Sequence, residues 1–533
     1  AAVRAGDDAL LGRVLRVADY LVERQNADGY LGNYAPSRRF MVPQPPKPVT
    51  WDGAPALRTW DIWTHSYLIL GLIELWKAVG DDRYLNAAQQ IGDLCSRTLS
   101  ESGIAITDLG NHFGLSATVL LDPAVELYLA SGEERYLDLA RLVVDQAERE
   151  PRNRMLSMAL AGADPSEIAT GKAYQLLWNL VGLAKLYRAT GEARYLTAVR
   201  NIWQAVRAHH LTLGGGPWGG VAHRSREVFN PAGVFSPEAY VETCSTMAWI
   251  QLNRELLTIL GDAAFAQEIE RSAYNDLLGA QAPDGEDWCY YSFPNGRRTH
   301  TTYWRCCKSS GAMALEELPA IAYGVTADGA VAINLLGESV AKVTLPGVGK
   351  VRLRQETSYP FEGPVRIEVT PSSTVRFAIA VRIPDWVEHP VLRVGDETIE
   401  ATPGSFARIE RDWTPGDVIA LDLPMPVCVH HATQRNVQES LAPGGVPVAQ
   451  EVMRYDFVAV TRGPLAFATG LVDGFKRGET VRFAGAPVAV ADGGTIRLEP
   501  EGRAPIVFEP WYRAGGRHDG AWRLTWLGLA GDA

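Results

Sequence analysis

The sequence predicts a multidomain chain that is helical first and β second. A closed double ring of helical hairpins should extend to about residue 325, with β-sandwich structure beyond. Three observations carry this reading. A hairpin-like segment recurs four times in the first half. The hydrophobic period changes after about Tyr323. The 533 residues are 47% hydrophobic and 21% charged, which is enough apolar material for several cores.

The recurring segments are LGLIELWKAVGDDRYL from Leu70, AVELYLASGEERYL from Ala124, GLAKLYRATGEARYL from Gly182 and QLNRELLTILGDAAF from Gln251. In each, apolar residues at helical spacing run up to a glycine (Gly80, Gly132, Gly191, Gly261), and an acid opens a second helical pattern. The glycine supplies the left-handed conformation that stops one helix, and the acid favours the first turn of the next. The glycines lie 52, 59 and 70 residues apart, too irregular for an open solenoid. Helices from about Leu10 to Gln25 and from about Gly311 to Tyr323 extend the series.

Beyond Tyr323, five runs alternate in polarity or are β-branched between Gly, Pro and Asp. They are Ala330–Leu336, Val365–Pro371, Val375–Pro384, Val418–Pro424 and Phe457–Gly470. They predict one or two β-sandwiches, with His430–Glu451 as a loop or a connection between sheets. The expected domains are therefore a helical domain over 1–325, a β-sandwich over 326–433, and a β-rich region over 434–533 that stands alone or completes the sandwich.

With 51 basic against 62 acidic side chains, a net charge of −11 and no Lys/Arg stripe, the chain is poorly suited to nucleic acid or anionic lipid. No apolar run approaches the length of a membrane span, and the mean hydropathy is −0.07. Fifteen Trp, 19 Tyr and 14 Phe argue against disorder. Six cysteines are too few for a disulfide scaffold. The opening AAVRAGDD carries no charged-then-apolar leader, so a cytoplasmic location is expected, although a removed leader would leave the same start. A homodimer is left open.

The densest chemical signal lies between Glu227 and Cys307. Glu242-Thr243-Cys244 opens one hairpin helix, and Cys306-Cys307 directly precedes the last helix. Three thiols and a carboxylate from two segments suit a closed tetrahedral Zn²⁺ site. The spacing is not that of a zinc finger, and three buried cysteines serving as small hydrophobes is the competing reading.

Several of these stretches carry a resemblance. YVETC (Tyr240–Cys244), ERSAYNDLLGAQAPDG (Glu270–Gly285), WCYYSFP (Trp288–Pro294) and the vicinal Cys306-Cys307 resemble glycoside hydrolase family 127. That family includes β-L-arabinofuranosidases. GKAY (Gly171–Tyr174), REVF (Arg226–Phe229), TRGPLAFATG (Thr461–Gly470) and FEPWYRAGG (Phe508–Gly516) fit in order, so the resemblance covers nearly the whole chain. It implies an (α/α)6 barrel followed by β-sandwich (jelly-roll-like) domains. It further implies Zn²⁺ held by Glu242, Cys244, Cys306 and Cys307, with Cys306 as nucleophile, Glu227 as acid/base and Tyr291 near the sugar. The implied activity is that of a retaining, exo-acting glycosidase that releases a terminal sugar. A zinc-bound thiolate would replace the usual second carboxylate of such an enzyme.

Other candidates for sugar contact are His65 on a helix, Lys172 in GKAY, and His223 and His112 in loop-like stretches beside glycines. Trp60, Trp63, Trp178, Trp218 and Trp304 suit a sugar platform, or simply core. Cys95, Cys289 and Cys428 read as packing. Two departures from the better-known branch stand out. Lys172 occupies a stretch where that branch shows a histidine, and Lys308-Ser309-Ser310-Gly311 replaces a Pro-Pro-Asn run. With Arg224, Arg226, Arg297 and Arg298, the lysine would suit a substrate that carries a carboxylate, or these are solvated loop charges. Two rivals remain from other classes. One is a polysaccharide lyase or sugar epimerase on a helical toroid, and the other is a non-catalytic carbohydrate-binding protein with structural zinc.

Overall fold

The computed structural model describes residues 1–41, 59–220, 227–301, 306–474 and 480–530. The chain forms two compact units: Ala1–His210 with Arg226–Ala232, and Leu211–Ser225 with Gly233–Ala533. Helices run to Ile321 and strands follow from Tyr323, so the class is α then β, built from (α/α)-barrel hairpins and then β-sandwich sheets. No described helix is long and apolar enough to cross a membrane.

The first unit holds three of the predicted hairpins: Asp61–Val79 with Asp82–Glu101, Leu121–Ser131 with Glu134–Arg149, and Ala173–Thr190 with Ala193–His209. Gly80, Gly132 and Gly191 end the first helix of each pair in the left-handed conformation, with φ of 73°, 74° and 71°. The amide of each closes on the carbonyl four residues earlier. The two helices of a pair differ in pattern. Ala173–Thr190 is buried without a break from Ala173 to Leu186. Ala193–His209 buries a single stripe, Tyr195, Ala198, Val199, Ile202, Trp203 and Val206. The helix expected over Leu10–Gln25 spans Asp8–Glu23, with Asp7 capping the amide of Leu10.

The second unit opens with the fourth hairpin, Thr243–Leu260 and Ala263–Ser272, turned at Gly261. Its last long helix, Cys306–Ile321, starts earlier than expected, so the vicinal cysteines lie in its first turn rather than ahead of it. A four-stranded sheet (Ser405–Trp413, Val375–Ile383, Val331–Ile333, Tyr323–Val325) and a six-stranded sheet using Ser339–Leu345 to Asp417–Asp422 then share one apolar core. Trp413, Ile379, Val381, Leu353, Ile367 and Leu421 fill that core. Along Val365–Pro371 and Ser405–Trp413, alternation places the apolar side chains inward and the Arg and Glu between them outward, whereas Val375–Ile383 is buried on both faces and Arg382 pairs there with Glu270.

A third sheet of eight strands buries Val458, Val460, Phe467, Ile496, Phe508 and Leu527. His430–Glu451, expected as a loop or connection, belongs instead to a long antiparallel hairpin, Val427–Leu441 against Pro447–Arg462. Its polar residues, among them Gln434, Arg435, Asn436, Gln438 and Glu439, hide the strands, because both faces are solvated and the apolar alternation is lost. Position 433/434 thus falls inside a strand, and Cys428 on that strand is exposed rather than packed.

Candidate functional site

Two chemical centres emerge, one in each unit. In the second unit, Tyr240–Glu242 is the middle strand of a small sheet, flanked by Trp218–Gly219 and Tyr291–Ser292. Glu242 pairs with Tyr291 across that sheet and is also the residue from which the helix Thr243–Leu260 starts. The Thr243 amide donates to the Tyr290 carbonyl (3.1 Å) and its hydroxyl to the Cys289 carbonyl (2.7 Å), which fixes the strand-to-helix corner. Cys244 therefore sits in a first helical turn, as do Cys306 and Cys307 in theirs.

These two helix starts meet. Cys244 Sγ lies 3.3 Å from Cys307 Sγ, and the Ser310 hydroxyl donates to Cys244 Sγ at 3.2 Å. One donor atom from each of Glu242, Cys244, Cys306 and Cys307 lies within 4.8 Å of all the others. With metal–sulfur bonds of about 2.3 Å, the edges of a tetrahedral thiolate site are roughly 3.8 Å, so this donor set suits a metal ion in both type and spacing. Three of the four are buried and Cys306 is exposed. All three thiols are free of disulfides.

Packed this closely, the thiols share negative charge unequally. Hydrogen bonds from the Cys244 and Cys307 thiols draw Cys306 well below the usual thiol range. Those same contacts hold Cys244 well above the usual thiol range, and burial does so for Cys307. Burial, reinforced by the Glu242 charge, also raises the Tyr290 and Tyr291 phenols. Beside the cluster, the departure over Lys308-Ser309-Ser310-Gly311 proves to be structural. Ser310 touches a thiol, and Gly311 is required because a Cβ there would collide with the buried Trp288 ring. Lys308 lies on the surface beside Glu286 and Asp287.

In the first unit, Glu227 is held by backbone contacts to the loop that leads into the helix Ala173–Thr190. The Ala173 amide donates to the Glu227 carbonyl (3.0 Å) and the Phe229 amide to the Gly171 carbonyl (2.8 Å). Lys172 and Val228 thus form an isolated antiparallel bridge. The Glu227 backbone is left-handed, with φ of 48°. For a residue with a Cβ this conformation costs roughly 1–2 kcal/mol, and such strain concentrates where a side chain has to be aimed. The aim is onto Lys172, whose Nζ donates to the Glu227 carboxylate, with the two side chains only 6% and 13% exposed. Nothing in the sequence announces this pair.

The remaining predicted contacts are distributed as follows. His65 is buried on Asp61–Val79, where its Nε2 accepts from the Leu31 amide at 3.4 Å and Tyr30 stands edge-on at 5.1 Å. Burial lowers it to about 4, so its imidazole is neutral. Tyr291 is half-buried between the Tyr240 and Tyr290 rings, each 4.5 Å away. Trp63 and Trp178 join Tyr67 and Tyr174 in one aromatic cluster, with the two tyrosine hydroxyls bonded to each other. His112 Nδ1 bonds the Thr170 hydroxyl at 2.8 Å. Arg298 is fully buried and donates to the Tyr512 carbonyl, so it is part of the interior rather than a solvated loop charge. His223, Arg224, Arg226 and Trp304 lie outside the described residues.

Known proteins share this fold. Residues 1–320 match the catalytic domain of the GH127 β-L-arabinofuranosidases, and residues 330–425 match their middle domain. A non-reducing end β-L-arabinofuranosidase of Bifidobacterium longum is 19% identical over 507 residues, spanning 86% of this chain and 71% of that enzyme. The crystal structure of a GH127 β-L-arabinofuranosidase from Geobacillus stearothermophilus superposes with a TM-score of 0.75 at 20% identity, covering 98% of this chain and 87% of that one. A further GH127 β-arabinofuranosidase superposes equally well, with a TM-score of 0.75 at 21% identity over 98% and 85% of the two chains. At such identities the superpositions speak for the fold, while the match over more than half of the chain speaks for the family. The chain belongs to the β-L-arabinofuranosidase family GH127, and it is a glycoside hydrolase whose substrate is a carbohydrate.

Proposed function

We propose that the chain is a retaining, exo-acting β-L-arabinofuranosidase-like hydrolase. In this reading Cys306 is the nucleophile, Glu227 the acid/base, and Glu242, Cys244, Cys306 and Cys307 the ligands of one Zn²⁺. The observation that carries it is the gathering of three thiols and a carboxylate in which Cys306 alone is exposed. When bound, the ion would keep the thiols ionised and draw charge from the Cys306 sulfur, making it a better leaving group.

The residues then divide the work. Cys306 Sγ attacks the anomeric carbon and displaces the aglycone oxygen, which takes its proton from the Glu227 carboxyl. In the second half, the Glu227 carboxylate removes a proton from water. That water attacks the same carbon, the carbon–sulfur bond breaks, and the configuration is retained after two inversions. Glu242 and Cys307, both buried, hold the first helical turns in place. Tyr291, paired with Glu242 across the strand, stands beside them as a sugar contact.

Proton NMR of the first product released from 4-nitrophenyl β-L-arabinofuranoside tests the mechanism. Retention is expected, along with a loss of at least roughly a thousandfold in kcat/KM for Cys306→Ser, whose hydroxyl is a poor nucleophile and a poor leaving group. An inverted product would leave Cys306 as a ligand only. Elemental analysis of protein prepared without chelator should find close to one zinc per chain.

A further inference from the structure

The second unit holds a cavity beside the thiol cluster's sheet. It encloses about 850 Å³, within the roughly 300–1,000 Å³ usual for small-molecule sites. One wall follows from the run after Tyr291. Ser292, Pro294, Gly296 and Arg298 are buried, whereas Tyr291, Phe293, Asn295, Arg297 and Thr299 are not, so the odd positions share the open side. The last four of these line the cavity. Trp522 pairs with Arg297 across two antiparallel strands, which sets an indole beside a guanidinium on that side. Trp526 adds a second indole and is held firmly. Asn295 Nδ2 donates to its carbonyl at 2.7 Å, and its amide donates to Asn295 Oδ1 at 2.9 Å. Phe235 backs the Trp526 ring at 5.1 Å. Gln434 and Tyr455, a cross-strand pair of the long hairpin, complete the lining.

Three properties identify the class of ligand. The lining joins flat apolar faces to hydrogen-bonding groups, as a sugar ring requires with its hydrocarbon face and hydroxyl rim. Among the described residues, no hydrogen bond or ion pair engages the Arg297 guanidinium or the Gln434 amide, whereas Asp456 is already bonded by Thr433 and Arg454. With the Glu238 and Asp456 carboxylates set against one guanidinium, the cavity favours an uncharged glycan over an anionic one. The last property is continuity with the thiols. The Cys307 thiol lies 3.8 Å from the Tyr290 carbonyl. Rings then follow one another from Tyr290 to Tyr291 (4.5 Å), to Tyr240 (4.5 Å) and to Phe293 (6.0 Å), which is in the cavity wall.

Resting on the reading that the terminal sugar is cleaved at the thiol cluster, we propose that this cavity binds further sugar residues of the same glycan. An exo-acting enzyme holds only the terminal sugar at its nucleophile, so the rest of the chain lies on the leaving-group side. The ligand is an uncharged oligosaccharide, stacked on Trp522 and Tyr455 and hydrogen-bonded by Arg297 and Gln434. Contacts so far from the bond that breaks are equal in the ground and transition states. They therefore set KM for long substrates and leave the rate of cleavage alone.

The test uses two substrates with the same terminus, 4-nitrophenyl β-L-arabinofuranoside and a β-linked L-arabinofuranotriose. Wild type is compared with Arg297→Ala and Tyr455→Ala, both at exposed positions where no core packing is lost. Each variant should lower kcat/KM on the triose at least roughly tenfold, through KM, and stay within about twofold of wild type on the aryl glycoside. Equal loss on both substrates, or loss on neither, overturns the proposal. Fluorescence titration of the triose into Cys306→Ser separates the cavity from the reading it rests on. The triose should bind and quench indole emission, and Arg297→Ala in that background should weaken binding at least roughly tenfold. No binding, or binding that Arg297→Ala leaves unchanged, removes the cavity as a glycan site. Full turnover by Cys306→Ser would instead remove the nucleophile assignment and leave the effect of Arg297 on the triose standing.

Discussion

Buried charge is handled in opposite ways in two places, the Asp122–Glu126–Lys185 network of the first unit and the thiol cluster of the second. In the first, acids are matched by lysines from the same unit. Lys185 reaches Asp122 at 2.6 Å and Glu126 at 2.8 Å, Lys77 reaches Glu126 at 3.1 Å, and the Trp178 indole donates to Asp122 at 2.8 Å. In the second, Glu242, Cys244, Cys306 and Cys307 crowd together groups that all ionise to anions. The first arrangement is a finished piece of core, electrically closed by the chain itself. The second is a donor set that could hold a cation, because like charges at this spacing cannot all ionise unaided.

If that contrast is right, the two regions should break differently. The largest effect is expected from stripping the cation. Chelator treatment at neutral pH should destabilise the wild type by several kcal/mol, since ligand binding free energy at a closed thiolate site is folding free energy. Thermal unfolding of Cys307→Ala should scarcely respond to the chelator. Equal sensitivity of both proteins would mean that the cluster is not where the cation binds. Next in size is Lys185→Met, which leaves Asp122 and Glu126 without their shared partner. A loss of about 3–5 kcal/mol in denaturant unfolding is expected, with metal content unchanged. A near-neutral result would show that water replaces the lysine, and that the network is less closed than its distances suggest.

The smallest effect sharpens the comparison through pH. Folded His65 titrates at about 4, below the ordinary 6.5, so between those values the unfolded chain binds a proton that the folded one refuses. Its contribution is therefore complete above pH 6.5 and is lost as pH falls towards 4, by up to about 3 kcal/mol. His65→Gln should flatten the stability profile across that window relative to the wild type. A profile that is identical in the two proteins would assign the acid lability to other groups.

Much of this was legible in the chain. The four glycines that end helices are required by the left-handed turn, and a helical period that stops at Gly followed by Asp or Glu has few other meanings. The members of the Glu242, Cys244, Cys306 and Cys307 cluster were legible too, since a vicinal cysteine pair and an ETC run are compact motifs. The long hairpin Val427–Arg462 was not, because its strands carry polar side chains on both faces and so lack the alternation that marks a half-buried strand. Nor was the meaning of Ser310 and Gly311, which depends on a thiol and an indole supplied by distant segments.

By itself the sequence determined the class of the fold, the hairpin boundaries and the inventory of chemical groups, because these depend on periodicity and capping within a few residues. Only the tertiary structure decided which groups would meet. Cys244 and Cys307 are 63 positions apart, and Lys172 and Glu227 are 55 apart. No local rule relates residues at such distances. It took the packing of two helix starts to gather the thiols and leave Cys306 as the one facing solvent. It took a single backbone bridge to set Lys172 against the Glu227 carboxylate. Chemistry of this kind is written in side chains, but it is assembled by burial, which removes water from between charges and makes each neighbour count.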